Sequence, residues 1–259
     1  LITYGEKAGF TMEMQTSGFF LTPEFIKKHP GIKDLSILRF SLYGIDNEST
    51  VEVTKNKKAY DAVKENLIDY LKLKTKTKLG LNYVILHKRT KDVLKLLDFI
   101  EEVNIKSNNQ VDFLTLREDF REGAEDILGE ERKEIYNIFN EIQRRLKSKN
   151  LNKLHIDYGY ALESIRKNQN SYQQSLKKID YKQLRPKVFP QIAVMVDPKG
   201  DVYAYHEATF LDREGSERYS IGVVDKDHSL EYIVKEFVEN SDGITEPLPH
   251  DVDLSLIHI

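Results

Sequence analysis

The sequence of 259 residues contains no cysteine. It can form no disulfide, present no thiolate nucleophile and hold no Cys-ligated metal. Its seven histidines lack an H-x-x-x-H metal spacing. No Walker, G-x-S-x-G or G-x-G-x-x-G stretch occurs, so the common phosphate-cradling loops and the nucleophile elbow are missing. Neither sign of charge is in excess. A formal net charge of −3 gives no basis for a broad nucleic-acid-binding face. No run approaches the ~18 to 20 apolar residues that span a bilayer. Neither nucleic acid nor a membrane is therefore expected as a partner, and the cytoplasm is the expected location. An N-x-S sequon at Asn47-Glu48-Ser49 carries little meaning without a secretory signal.

What remains is ordinary for a soluble globular protein: 40% apolar and 31% charged residues. A chain of this length suits one large α/β domain or two small ones, burying roughly 75% of its unfolded surface. Strand-like and helix-like stretches alternate. FTMEMQTSG (10–18), LSILRFSLYG (35–44), LGLNYVIL (79–86) and VDFLTLRED (111–119) read as strands. LTPEFIKKHPG (21–31) reads as a short helix with Pro23 in its first turn. Helices are also expected over 58–74, with Tyr60, Val63, Leu67, Tyr70 and Leu71 on one stripe, and over 91–104 and 129–149. LITYGEKAG reads as the tail of a helix, and LHIDYGYAL (154–162) as another extended stretch. This order predicts parallel strands joined by crossover helices. Further on, two alternating runs flank Asp197-Pro198-Lys199-Gly200, which predicts a hairpin. A boundary is placed in the polar, Gln- and Lys-rich segment 167–187.

LRFSLYGID (38–46) is the stretch that points to a site. Leu38, Phe40 and Leu42 predict one buried face, which puts Arg39, Ser41 and Tyr43 together on the other. In parallel α/β sheets, ligands bind at the C-terminal ends of the strands. Those ends read Thr16-Ser17-Gly18, Ser41-Leu42-Tyr43-Gly44, Asn82-Tyr83 and Thr115-Leu116-Arg117-Glu118-Asp119. A doubly buried strand should be continuously apolar there, and each is interrupted by polar residues. A shared pocket holding Ser17, Ser41, Asn82 and Arg117 is the expectation. Two partners are open to Arg39: a ligand carboxylate, or an internal acid such as Glu13 on the neighbouring strand. His155 and Asp157 alternate onto one face, as an oriented imidazole or a surface hairpin would. Glu118 and Asp119 fit either a substrate clamp or a cap on the following segment.

The stretches SLYGID with VTKNKKAYDAVKENL, GLNYVIL, VDFLTLRED, LHIDYGYALESIR, LRPKVFPQIAVMVDPKGDVYAYHEATF and RYSIGVVDKDHSLEYIVKEFV resemble radical S-adenosylmethionine (radical SAM) enzymes. Within that superfamily they resemble the ammonia-lyases that act on nucleotide-linked amino-deoxysugars. The resemblance implies that residues 1–166 are strands three to six of a partial (β/α)6 barrel. Residues 167–253 would be a small α+β extension with a β-hairpin. It implies S-adenosylmethionine (SAM) as cofactor, with Ser17, Arg39, Ser41, Asn82 and Arg117 toward it. Tyr43, Glu118, His155, Asp157 and Tyr205 would face the substrate. The reaction implied is loss of ammonia through a 5′-deoxyadenosyl radical, with flavodoxin or ferredoxin as external electron donor. Other substrates, an aminocyclitol or a peptide, stay open, as does a cofactor-free binding domain.

The family's C-x-x-x-C-x-x-C motif for a 4Fe–4S cluster is expected before Leu1, outside these residues. Many relatives carry G-D-V-Y-x-C in the extension, whose cysteine ligates an auxiliary cluster. Here Gly200-Asp201-Val202-Tyr203-Ala204-Tyr205 puts a tyrosine in that place, so no auxiliary cluster is expected. Leu1 is not a start methionine, and LSLIHI (254–259) resembles read-through of a sequencing-library adapter. The expectation is an internal fragment whose last six residues carry no structural information and which, alone, would be inactive.

Overall fold

The structure is a computed structural model that describes residues 2–85, 89, 91–118, 130–158, 163, 166–167, 194–204 and 220–241. The chain divides into two compact units, Leu1–Gln174 and Ser175–Ile259.

In the first unit, five strands form one sheet in chain order: β1 (Glu13–Thr16), β2 (Ile37–Leu42), β3 (Lys78–Ile85), β4 (Phe113–Glu118) and β5 (His155–Asp157). Every neighbouring pair is parallel, as the alternation of elements predicts. The helices are α1 (Ile2–Lys7), α2 (Pro23–Lys28), α3 (Asn47–Thr54), α4 (Ala59–Lys72), α5 (Asp92–Ser107) and α6 (Glu130–Arg145), with a 3-10 turn at Pro30–Asp34. Thr22 caps α2 by accepting from the Phe25 amide, and Pro23 sits where a helix needs no N–H donor.

Side-chain alternation splits the sheet into two unlike faces. Leu38, Phe40, Leu81 and Leu114 are fully buried and pack with Leu67, Leu96, Ile100 and Ile142 of the helices. Each such side chain contributes about 1.5–3 kcal/mol relative to exposure. On the other face the register aligns Gln15, Arg39, Gly80, Phe113 and His155 in one row. A second row holds Ser41, Asn82, Thr115 and Asp157. Apolar packing therefore fixes which residues are left for chemistry.

Sequence patterning misses α3, whose N-terminus is closed by Asp46 and Ser49. The Asp46 carboxylate accepts from the Ser49 amide at 2.8 Å and from its hydroxyl at 2.6 Å. The Ser49 oxygen in turn accepts from the Ile45 and Asp46 amides at 3.0 and 3.2 Å. A serine thus takes the place where the usual pattern has Glu or Gln.

In the second unit, β6 (Met195–Val196), β7 (Asp201–Tyr203) and β8 (Ser220–Val223) form an antiparallel sheet. The hairpin turn is closed by Asp197, whose carboxylate accepts from the Lys199 and Asp201 amides at 2.8 and 2.9 Å. A further helix among the described residues, α7 (Leu230–Asn240), is capped by Ser229 and buries Ile233. Among the described residues, no helix is long and apolar enough to cross a membrane.

Candidate functional site

Two cavities open at the C-terminal ends of β1 to β4, separated by the wall Ser41-Leu42-Tyr43-Gly44 that lines both. The larger, about 540 Å³, lies over the polar face and is lined by Arg39, Ser41, Asn82, Thr115, Arg117 and Arg89 among others. The smaller, about 300 Å³, lies between the loop after β1, the end of β2 and helices α3 to α5. The expected single pocket is thus two. Ser41, Asn82 and Arg117 share the larger cavity, whereas Ser17 lines only the smaller one. The physical reason is the loop at 17–20, which turns away behind β2.

Arg39 is held on three sides. Its guanidinium pairs with Glu13, donates to Thr115 Oγ1 at 3.2 Å and stacks 4.7 Å from the centre of the Phe113 ring. Phe113 lies two strands away from Arg39. It reaches because Gly80 stands between them in the register, where a Cβ would overlap the Phe113 ring. Glu13, one of the partners left open by the sequence, does pair with it. Ser41 Oγ accepts from the Gln15 amide at 3.1 Å, which leaves its own hydroxyl proton to donate elsewhere. Asn82 Oδ1 is buried without a hydrogen-bond partner. It lines the larger cavity, where a ligand donor would satisfy it.

Arg117 pairs with Asp157 at 3.0 Å, both about half exposed at 49% and 48%. Arg89 binds Asp92 at 3.0 Å and Glu52 at 2.9 Å. Burial works against the Arg89 charge, but Asp92 and Glu52 outweigh it and hold its proton more firmly than usual. The Tyr83 hydroxyl is pushed up to about 12, first by burial and then by the Asp92 charge, with Arg89 opposing, so it stays a neutral phenol. Each arginine of the cavity therefore already carries a carboxylate.

His155 and Asp157 do lie on the polar face, in register with Phe113 and Thr115. The Asp157 carboxylate meets Arg117. Glu118 ends β4 in register with Ile85, one position out of step with that face. Tyr43 is 48% exposed on the wall between the cavities. Tyr205 lies outside the described residues. Gln15, Phe113 and Thr115 were not singled out from sequence, although the period-two alternation through Arg39 and Arg117 already places them on this face.

Over 246 residues the chain is 36% identical to the dTDP-4-amino-4,6-dideoxy-D-glucose ammonia-lyase of Streptomyces venezuelae. The chain is a relative of that ammonia-lyase. The match covers 92% of the chain and 50% of the enzyme, so the chain spans about half the length of the curated relative it matches. The structure of Streptococcus suis SuiB bound to S-adenosylmethionine covers 82% of the chain at a TM-score of 0.53 and 11% identity. The chain in turn covers 46% of SuiB. A second SuiB structure gives the same TM-score of 0.53, at 12% identity, over 82% of the chain and 47% of SuiB. At such identities the likeness is one of fold, and it agrees with a parallel α/β sheet. No protein-family model matches the chain.

Proposed function

We propose that this chain is part of a radical SAM enzyme that eliminates ammonia from a nucleotide-linked amino-deoxysugar, and that its five parallel strands belong to a partial barrel. The observation that carries this reading is the 36% identity to the ammonia-lyase, which extends over 92% of the chain and so through both units. An enzyme on an aminocyclitol or a peptide has no comparable support.

The residues present fit SAM. The orphaned Asn82 Oδ1 calls for a donor such as an amino or hydroxyl group, and the free Ser41 proton suits a ribose or carboxylate oxygen. Bound there, SAM would supply the power to abstract a hydrogen atom from the sugar. The chain's own part is positioning. Glu13, Thr115 and Phe113 hold the Arg39 plane still, and Gln15 fixes Ser41. Rigid groups lose less entropy when a ligand arrives. On this reading Tyr43 on the rim and Asp157 at the end of the Asn82 row face the sugar, and Arg117, held by Asp157, stays on the SAM side. The chain supplies no cysteine to an iron–sulfur cluster, so cluster ligands would have to come from outside these residues, and an external flavodoxin or ferredoxin is the proposed electron donor.

The test is reconstitution of the complete enzyme with iron, sulfide, SAM and a chemical reductant, followed by incubation with dTDP-4-amino-4,6-dideoxyglucose. Ammonia and a deaminated sugar nucleotide are the expected products. Cleavage of SAM without ammonia release would refute the elimination reading, and iron well above four atoms per chain would refute the expectation of no auxiliary cluster.

A further inference from the structure

The smaller cavity is built differently from the polar one. Leu42, Val63 and Phe99 give it an apolar floor, and Phe20 and Tyr43 stand at its mouth with 74% and 48% of their surface exposed. Phe20 is held in place by its surroundings. Its ring meets Phe19 edge-on at 4.9 Å, and Asn66 donates to the Gly18 and Phe19 carbonyls at 2.9 Å each. Ser17, Ser41, Thr54, Asn56 and Tyr60 also line it, but one polar group of the lining is buried without a partner. Thr50 is only 5% exposed, and its Oγ1 is buried with no hydrogen-bond partner. A buried hydroxyl without a partner costs free energy, so the ligand for this cavity should bring a hydrogen-bonding edge to it.

A mainly apolar slot with two exposed rings at its mouth and one unpaired hydroxyl inside suits a flat aromatic ring with a polar edge. A carbohydrate would set part of its hydroxyls against Leu42, Val63 and Phe99, and an aliphatic chain would leave Thr50 unpaired. We propose that this cavity is the nucleobase subsite for the nucleotide-linked sugar, with the rest of that molecule crossing the Ser41–Gly44 wall into the polar cavity. The assignment rests on the nucleotide-sugar reading above. It places the base behind β2 and the sugar over the polar face.

Calorimetric titration of the protein with dTDP, and separately with SAM and with pyrophosphate, tests it in Phe20→Ala and Thr50→Val variants. Phe20 is exposed enough that its truncation spares the fold. Loss of one base–aromatic stack should weaken dTDP about tenfold or more. Loss of one hydroxyl partner should weaken it roughly three- to tenfold. SAM and pyrophosphate affinities should not move. Wild-type binding of dTDP that both variants retain would overturn the subsite while leaving the nucleotide-sugar reading intact. Weakened SAM with unchanged dTDP would also overturn it, assigning the cavity to adenine. A wild-type protein that binds no dTDP would sink the nucleotide-sugar reading itself, and the subsite with it.

Discussion

Gly18 ties the site to the fold, and replacing it with alanine tests how firmly. The residue has φ +76°, a left-handed conformation. A side chain held there costs about 1–2 kcal/mol. A Cβ would also overlap the edge of the Phe40 ring. Phe40 is 0% exposed at the centre of the core, so it cannot swing into solvent. Overpacking of that kind costs about 1–3 kcal/mol. The sum predicts a loss of about 2–5 kcal/mol for Gly18→Ala, read by urea unfolding followed by far-UV circular dichroism. A double variant sharpens the argument. Phe40→Leu opens space where the new Cβ must go, so Gly18→Ala with Phe40→Leu should cost at least 0.5 kcal/mol less than the two singles added, within the range of ~0.5–3 kcal/mol seen for residues in contact. A change below about 0.5 kcal/mol in the single variant, the level of an ordinary surface substitution, would mean the loop is not locked. Strict additivity in the pair would mean that Phe40 is not what Gly18 makes room for.

Asp46→Ala removes the α3 cap and should cost about 0.5–2 kcal/mol at neutral pH. The Ser49 hydroxyl and amide hold the Asp46 carboxyl below the ordinary 3.8, so its contribution is complete above about pH 4 and drains away as pH falls further. The gap between wild type and variant should therefore narrow in acid, and a constant gap would contradict this account. Glu13→Gln leaves Arg39 its Thr115 and Phe113 contacts but removes its counter-charge. With Glu13 42% exposed, stability should change by no more than about 1 kcal/mol, while affinity for SAM should rise several-fold through its carboxylate; unchanged affinity would assign Arg39 to the strand pair alone.

Much of the first unit was legible because parallel strands have a simple signature. Leu38, Phe40 and Leu42 alternate cleanly with Arg39 and Ser41, and a period of two is enough to say which residues share a face. Strand order followed from the helical stretches between strands. Other features depend on contacts that sequence spacing does not encode. That Arg39 reaches Glu13 depends on the register of β1 against β2, which the pattern of neither strand encodes. Gly80 reads as a weak point in a strand until Phe113 is placed across from it. The division of one expected pocket into two follows from the turn at Gly18, whose positive φ cannot be read from a single glycine. Thr50 sits on α3, a helix that patterning missed because a serine completes its capping box.

The pairing on the polar face also bears on what covers it. A surface meant only for water would not need Glu13 and Thr115 to hold Arg39, Gln15 to hold Ser41 and Asp157 to hold Arg117, because solvent satisfies exposed polar groups at little cost. A face meant only for a protein lid would gain from apolar residues instead. What the sheet presents is a set of polar groups fixed in place, and two oxygens are left over, one on β3 and one on α3. Asn82 Oδ1 lies on one side of the Ser41–Gly44 wall and Thr50 Oγ1 on the other. Leaving either group unpaired against a bound ligand would cost about 1–3 kcal/mol, so each cavity favours an occupant that brings it a hydrogen-bonding partner. On the proposed reading two molecules meet this on either side of one wall: an amino or hydroxyl group of SAM at Asn82, and the polar edge of the nucleobase at Thr50.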